Sequence, residues 1–423
     1  MPGMTRRALL GATVATAAVT VLGCGRLSSG VVPDGTPLQL AADGLLLPAA
    51  RALVSAYRAQ GGQAQAVVAA GGMSALINTM LGGSNSVGVD VLLLTPKVRR
   101  IWDATSLMLD LGPVLARTGL DSGLYPSVLT AGQFQGRQLI MPVFRDPLVL
   151  FYNADALART GNNPPAAGWT LSALMDLCVS LQRAGMRPLL QSASVHGAEL
   201  LTAFVIGYGG EVMIPSPAGG TGFVPTFTSP VALQGLAALV DLHRYIATPT
   251  PASAVQAFAR GDAALLFGHH RDVPALQAAI GTLFAWNVAP VPRFPSRRAQ
   301  PVQADGLAAV TTVAARRTGS LALTLYGATA AGQQALARTG LGVPARASLA
   351  SSSLWRSAAP NLDNDVFVSG SSADVVVPQP LFFIWLPDLA LALQAAVRGV
   401  AVAEAFGAAA TAAEFTLANW PAV

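Results

Sequence analysis

The stretch VDVLLL, residues 89–94, is an almost unbroken apolar run of strand length. Two similar runs precede it, LQLAA at 38–42 and QAVVAA at 65–70. Helical apolar spacing fills the intervals, over 49–60 and from near Ser74. Continuous apolar runs are typical of parallel strands that are buried on both faces. Strands that alternate with helices therefore predict an α/β fold with mainly parallel sheets.

The same alternation continues along the chain. Further strands are predicted at 148–152, 263–267 and 286–289, the chain is mostly helical from Ser320, and a final helical pair is predicted over 386–419. The 423 residues exceed the usual size of a single hydrophobic core. We therefore expect two lobes rather than one.

The composition excludes several classes of protein. Hydrophobic residues make up 52% of the chain and charged residues 11%, which excludes disorder. Beyond the N-terminal segment no window holds eighteen uninterrupted apolar residues, so a polytopic membrane protein is not supported. The formal charge of +5 is small and scattered, which argues against nucleic-acid binding. Lys97 is the only lysine, so a phosphate-binding GxxxxGK[ST] loop is impossible.

The N-terminus has the features of a bacterial export signal. Arg6 and Arg7 precede an apolar stretch over 8–22, which is too short to span a membrane. The segment TRRALL, residues 5–10, resembles a twin-arginine signal.

The end of this segment, VLGC at 21–24, resembles a lipobox. The resemblance implies cleavage before Cys24 and its acylation, which would hold the protein on the outer face of the bacterial cytoplasmic membrane. We expect a signal peptide over 1–23 and a flexible tether over 24–36; the alternative is a simple secretory signal in which Cys24 is incidental. The apolar neighbours of Cys178 have helical spacing, so we expect it to be a buried thiol. With Cys24 acylated, Cys178 has no disulfide partner, so stability rests on core packing.

Several motifs occur in the order found in one known family. They are GRQLIMP at 136–142, LFYNADAL at 150–157, Pro164-Pro165 with Trp169-Thr170, Gly209-Gly210, FARGDAAL at 258–265, WNVAPVP at 286–292, and Pro378-Gln379-Pro380 with Trp385. Together they resemble the bacterial extracellular solute-binding proteins of carbohydrate ABC importers, the family that includes maltose-binding protein. The resemblance implies a type II periplasmic-binding-protein fold, in which two α/β lobes joined by a multi-segment hinge close on a ligand.

The family's hinge crossings map onto this chain at three places. They give 37–144 plus 305–343 as lobe 1 and 145–304 plus 344–423 as lobe 2. The resemblance also implies a monomer that passes a carbohydrate to the permease subunits of an ABC importer. It implies no cofactor and no catalytic chemistry.

A sugar site needs an aromatic face for the ring C–H groups, and charged or amide side chains for the hydroxyls. The resemblance assigns these roles to Trp385 and Asp146. The structural alternatives are a core tryptophan, and an aspartate that forms a turn or pairs with Arg145.

Other ligand-binding candidates lie at turns or where the resemblance places the cleft, and each has a structural alternative as a turn, helix cap or solvated loop. They are Asp43, Ser74, Lys97, Arg145, His196, Glu199, His270, Arg271 and Asp305. His270 and Arg271 stand where the family commonly has a stacking tryptophan, and Lys97 replaces an aromatic and an acid of the maltose-binding relative. These departures put maltose in doubt and indicate a solute with a polar or anionic part. No metal site is predicted, because adjacent histidines project in different directions.

Alternative functions remain open at this point. The basic candidates favour a phosphorylated or glycerol-type solute, because phosphate is well met by arginine forks. An exported glycosidase-like hydrolase needs two carboxylates about 5–10 Å apart, which Asp146, Asp43 and Glu199 could supply. The sequence has no GxSxG elbow and no HExxH motif. A degenerate family member that acts as a surface interaction protein is a further alternative.

Overall fold

The structure is a computed structural model that describes residues 35–82, 88–95, 105–192, 194–195, 197–215, 223–246, 254–310, 313–356, 362–377 and 382–418. The predicted signal peptide, Cys24 and most of the tether lie outside these residues. The strands are β1 (Leu38–Ala42), β2 (Ala64–Val68), β3 (Val91–Leu94), β4 (Gln133–Phe134), β5 (Arg137–Gln138), β6 (Met141–Pro147), β7 (Val149–Asn153), β8 (Arg187–Gln191), β9 (Met213–Pro215), β10 (Phe223–Pro225), β11 (Ala263–Gly268), β12 (Trp286–Pro290), β13 (Gln300–Ala309), β14 (Val343–Pro344) and β15 (Asp374–Val376).

The helices are α1 (Leu47–Ala59), α2 (Met73–Leu81), α3 (Gly112–Thr118), α4 (Pro126–Ala131), α5 (Ala154–Arg159), α6 (Leu171–Arg183), α7 (Gly197–Gly207), α8 (Pro230–His243), α9 (Ala254–Ala259), α10 (Val273–Ile280), α11 (Arg317–Tyr326), α12 (Ala330–Ala337), α13 (Ala347–Ala350), α14 (Val366–Ser369), α15 (Phe382–Val397) and α16 (Val402–Ala418). Within the described ranges, none of these helices combines the length and the apolar character needed to cross a bilayer.

Two sheets organise the molecule. Within the described residues the first sheet has seven strands in the order β14-β6-β13-β3-β1-β2, with β15 beside β13. The second has four, in the order β12-β7-β11-β8. The chain passes directly from β6 of the first sheet to β7 of the second through Leu148. The two sheets therefore meet where these strands end.

Both sheets are mixed, which corrects the expectation of mainly parallel sheets. In the first, β1 is parallel to β2 and β3, but β13 is antiparallel to both β3 and β6. In the second, β8 is parallel to β11, whereas β7 is antiparallel to β11 and β12. The reason is that β13 returns from the second sheet and enters the first in the direction opposite to β6. An apolar run reports burial on both faces and carries no information on strand direction.

Helices cover both faces of each sheet, as in other α/β folds. One face of the first sheet packs on α1, α4, α11 and α12, and the other on α2. One face of the second packs on α6, α7, α8, α15 and α16, and the other on α9, α10 and the segment around Trp355. Most of the hydrophobic packing therefore lies within each lobe. Some apolar contacts also join the two sheets, since Val375 of β15 and Val343 of β14 belong to the clusters of the second sheet.

Helix α6 shows how local sequence sets these elements. The Thr170 side chain accepts a hydrogen bond from the Ala173 N–H at 3.3 Å and so caps the start of the helix. Leu174, Leu181 and Cys178 follow at helical spacing and are fully buried. Burial raises the pKa of the Cys178 thiol to about 12, as expected for a core cysteine.

The predicted lobe boundaries fall inside three strands. Strand β6 stays in the first sheet as far as Pro147, and β13 joins that sheet from Gln300. The boundaries at 144/145, 304/305 and 343/344 therefore cut through β6, β13 and β14. The division of the chain into lobes stays a prediction.

Candidate ligand-binding site at the junction of the two sheets

Strands β6 and β13 each bring one acidic residue to the junction. Asp146 is the penultimate residue of β6 and pairs in register with Gln303 of β13. Asp305 lies two residues further along β13, at the point where the register shifts before Gly306. Alternation along a strand places Gln303 and Asp305 on one face of the sheet. Asp146 and Asp305 are both at most 1% exposed, so their charges need partners.

Arg271 links these two carboxylates from the other sheet. It follows β11, in the short 3₁₀ turn His270–Asp272. Its Nε donates to Asp146 Oδ2 at 2.6 Å and its Nη2 to Asp305 Oδ2 at 2.9 Å. Asp305 also accepts the Thr95 hydroxyl at 2.6 Å. The guanidinium is therefore held in a fixed orientation across the junction.

The charges of this group support one another. Burial alone raises the pKa of Asp146, but the nearby Arg271, His269 and His270 outweigh it, and the pKa lies below its ordinary value. Burial lowers the pKa of Arg271, but Asp305 and Asp146 outweigh it, and the net shift is upward. Asp146 and Arg271 are thus both ionised at neutral pH, with buried charges that compensate each other.

His270 lies beside this group with its ring among aromatic side chains. Its backbone N–H donates to Asp146 Oδ1 at 2.8 Å. Its imidazole meets the Trp355 and Phe367 rings edge-on, with centroids 5.1 and 4.8 Å away. Burial lowers the pKa of His270 to about 4, so the ring is neutral at pH 7. Its Nδ1 is buried without a hydrogen-bond partner, an arrangement that often marks a functional position.

A second polar cluster lies on the same side of β13, around His269. His269 Nε2 is 3.1 Å from Glu199 Oε1, which also accepts the Gln303 amide at 3.0 Å. Ser194 donates its hydroxyl hydrogen to Asp272 Oδ2 at 2.6 Å, so its oxygen accepts from His269 Nδ1 at 3.0 Å. Because Gln303 pairs with Asp146, the two clusters form one buried polar layer at the junction. In the described part of the chain no three His, Cys, Asp or Glu residues are grouped to hold a metal ion.

Arg145 does not belong to this layer. It pairs with Asp374, to which its Nε donates at 2.8 Å, and it also donates to the Phe367 carbonyl. Its guanidinium lies 5.1 Å from the centre of the Tyr125 ring. Successive residues of a strand point to opposite faces, so Arg145 and Asp146 diverge. Arg145 therefore neutralises Asp374 and ties the C-terminal segment to β6, and it does not neutralise Asp146.

Trp385 lies in α15, in the hydrophobic core of the second sheet. Its side chain is fully buried, with the Phe227 ring 6.4 Å from its own, so neither face is open to a ligand in this conformation. The structure does not bring Trp385 together with Asp146. The surroundings of Trp385 are those of the structural alternative, a tryptophan of the hydrophobic core.

The other candidates are dispersed. Asp43 accepts the Leu46 N–H at 2.9 Å and so forms the turn before α1. Ser74 is exposed in the first turn of α2, whose N-cap is Gly72, so the alternative of a Ser74 cap is wrong. Lys97 and His196 lie outside the described residues.

Sequence reasoning missed Gln303 and Trp355. The spacing of Gln303 and Asp305 on a predicted hinge segment was a usable signal, because residues two apart on a strand share a face. Trp355 offered no such signal, since it lies in a segment without a recognised motif.

The chain matches the model of the bacterial extracellular solute-binding protein family over residues 52–362. This range covers well over half of the chain, so the chain belongs to that family. The family is one of exported proteins that bind solutes, so the chain is not an enzyme and the hydrolase alternative is not supported. No curated protein matches the chain in sequence.

Solved structures show the same fold. The cyclic α-maltosyl-1,6-maltose-binding protein from Arthrobacter globiformis is 17% identical, with a TM-score of 0.74 over 91% of this chain and 100% of that one. An ABC substrate-binding protein from Listeria monocytogenes in complex with cycloalternan is 15% identical, with a TM-score of 0.73 over 90% and 99%. UgpB from Mycobacterium tuberculosis in complex with glycerophosphocholine is 16% identical, with a TM-score of 0.72 over 90% and 98%. The likeness establishes the two-lobed α/β periplasmic-binding-protein fold.

Proposed function

We propose that this chain captures a carbohydrate, from a monosaccharide to an oligosaccharide or a derivative, between its two lobes and passes it to the permease subunits of an ABC importer. The observation that carries the proposal is the buried polar layer at the junction of the sheets. Ligands of open α/β sheets bind beyond the ends of strands, where such a layer supplies fixed hydrogen-bonding groups. It holds Asp146, Asp305, Arg271, His269 and Glu199, in contact with one another across the two sheets.

The charges of the layer favour a neutral polyhydroxylated solute over a phosphorylated one. Arg271 is compensated by two carboxylates, and Arg145 is taken by Asp374. The unpartnered Nδ1 of His270 belongs to a neutral ring. A phosphate at this place would meet an excess of acidic groups among the described residues. A sugar hydroxyl can both accept from a guanidinium and donate to a carboxylate, which suits the mixed set.

Isothermal titration calorimetry on the full chain tests the solute class. We expect saturable binding to a neutral mono- or oligosaccharide and none to glycerophosphodiesters. Arg271→Lys keeps the charge but loses the fork, so it should weaken saccharide binding more than tenfold. Arg187→Lys, at an exposed arginine of β8, is the matched control and should bind as the parent does. Binding of the phosphodiesters alone would favour the alternative receptor for a phosphorylated or glycerol-type solute.

We also propose that a lipid on Cys24 holds the protein, as a monomer, on the outer face of the cytoplasmic membrane. The support is the lipobox-like VLGC at 21–24. Cys24→Ala should move the protein from the membrane fraction to the soluble exported fraction. Mass spectrometry of the N-terminal peptide should show an acylated Cys24 in the parent. An unmodified cysteine there would favour the simple secretory signal, and sedimentation of the Cys24→Ala variant reports its oligomeric state.

A further inference from the structure

A groove of about 700 Å³ lies on the second lobe and shares no lining residue with the polar layer at the junction. It is bounded by the start of α6, the residue after α7, the C-terminal half of α8 and the turn after β12. The apolar part of its lining includes Leu171, Met175 and Phe294. Its polar lining includes Thr170, Ser172, Tyr208, Asp241 and Arg293. Both the volume and the mixed lining are typical of small-molecule sites.

The turn after β12 carries three arginines in the six residues RFPSRR, 293–298. Backbone hydrogen bonds hold this turn in place. Arg293 donates its N–H to the Trp169 carbonyl at 2.9 Å and accepts the Leu171 N–H at 3.0 Å. The N–H groups of Ser296 and Arg297 both donate to the Gly207 carbonyl. The arginine side chains therefore project from a fixed frame beside the groove, with limited ordering left to occur on binding.

The positive charges of this turn are not compensated. Among the described residues no carboxylate lies within ion-pair distance of Arg293, Arg297 or Arg298. Arg298 lies at the rim of the groove, because its Nη2 donates to the Ala167 carbonyl, next to Gly168 of the lining. Burial, and then the positive charge of Arg293, lower the pKa of Arg298. Arg298 Nε is also buried without a hydrogen-bond partner. One guanidinium in the lining and another at the rim, with the Arg298 Nε left without a partner, are suited to a planar or tetrahedral oxyanion.

Hydroxyl-binding groups complete the lining. Asp241 pairs loosely with Arg244 of its own helix, at 3.5 Å on the surface, so its carboxylate remains accessible. Burial and the nearby Asp241 raise the pKa of Tyr208, so its phenol stays protonated and can donate. These residues line the same groove as Arg293. A ligand with an anionic group and a hydroxylated body would satisfy both kinds of group at once.

We propose that this groove binds a phosphate ester of a polyol, with the phosphate between Arg293 and Arg298 and the hydroxyls at Asp241 and Tyr208. The site is separate from the carbohydrate site at the junction and does not depend on it. The same chemistry occurs in a soluble polyol phosphate and in the headgroup of a glycerophospholipid. A protein anchored on a membrane would meet both, so the experiment has one arm for each source.

The test uses the full chain carrying Cys24→Ser, so that no acyl chain contributes to vesicle binding. Glycerol 3-phosphate in calorimetry is the soluble arm, and cosedimentation with phosphatidylglycerol vesicles, against phosphatidylcholine vesicles, is the lipid arm. We expect binding in at least one arm, with at least a tenfold loss in Arg293→Gln/Arg298→Gln. Arg187→Gln, at an exposed arginine of the same lobe, should bind as the parent does.

Two further readouts keep the result interpretable. The first is the single variant Arg293→Gln, which changes an exposed side chain. It should weaken binding without altering the melting temperature. A loss of binding in this folded variant distinguishes loss of the site from unfolding of the double variant. Because the contact is between charges, raising the salt concentration should also weaken binding. No binding in either arm, or equal binding by the parent and both variants, would overturn the proposal. Neither outcome at the groove bears on saccharide binding at the junction, so the proposal for each site can be overturned without the other.

Discussion

Two groups of arginines in the second lobe contrast with each other. Arg271 at the junction is 8% exposed and lies between two buried carboxylates. Arg293 and Arg298 at the outer groove have no carboxylate partner among the described residues, and Arg293 is exposed. A guanidinium can be taken out of water only with compensating charge, whereas an exposed one can stay unpaired. At the junction, the charge of Arg271 is therefore needed for the stability of the fold. At the groove, the charge of Arg293 is available for a ligand.

The largest expected effect breaks the junction. Arg271→Ala leaves Asp146 and Asp305 buried without their countercharge, so it should lower the free energy of unfolding by about 3–5 kcal/mol. Urea denaturation of the full chain measures it. Arg187→Ala, at an exposed arginine, should change the free energy by no more than about 0.5 kcal/mol. Equal effects of the two substitutions would contradict the distinction between the two kinds of arginine.

The next effect is a pH dependence of the junction. The pKa of His270 is lowered from 6.5 to about 4 by burial, so the folded state resists protonation. Its contribution to stability is complete above the unfolded pKa of 6.5 and is lost as pH falls toward about 4, by about 3 kcal/mol in all. Unfolding measured between pH 4 and 7 should show this slope. His270→Phe should flatten it, and His243→Gln should remove only the smaller part due to that histidine.

A smaller effect concerns the core beneath the outer groove. Trp385 packs with Phe227 in the hydrophobic cluster that also contains Leu171 and Phe294 of the groove floor. Trp385→Phe should lower the free energy of unfolding by about 1–3 kcal/mol. Saccharide affinity in calorimetry should stay within twofold of the parent, because no face of the indole is open at the junction. A large loss of affinity at unchanged stability would return Trp385 to the ligand site.

The smallest effect is expected at the groove itself. Arg293→Gln removes an unpaired, exposed charge, so the free energy of unfolding should change by no more than about 0.5 kcal/mol. The melting temperature should change correspondingly little. Removing a charge that repels Arg298 should slightly favour the folded state. A marked destabilisation would show that Arg293 has a structural partner after all.

Much of the fold could be predicted from local patterns. The apolar runs at 38–42 and 263–267 are strands β1 and β11, and the Thr170 cap opens α6. Burial of Cys178 followed from helical spacing. The relative direction of neighbouring strands was not predictable, because an apolar run can be buried in either a parallel or an antiparallel pair.

The candidate site was predicted in part. Asp146, Arg271, Asp305, Glu199 and His270 were all singled out, and the structure brings them into one layer. Trp385, Asp43 and Arg145 were singled out by the same reasoning and lie elsewhere. A turn residue and a ligand residue look alike in sequence, since both place a polar group after an apolar strand.

The amino-acid sequence by itself determined the α/β class, the family and much of the apolar core, because apolar periodicity and motif order are properties of neighbouring residues. Only the tertiary structure decided which charges compensate which. Arg271 is 125 residues from Asp146 and 34 from Asp305 along the chain, and Arg145 is 229 from Asp374. Ion pairs at such separations leave no local pattern, since they are set by how the strands of two sheets come together.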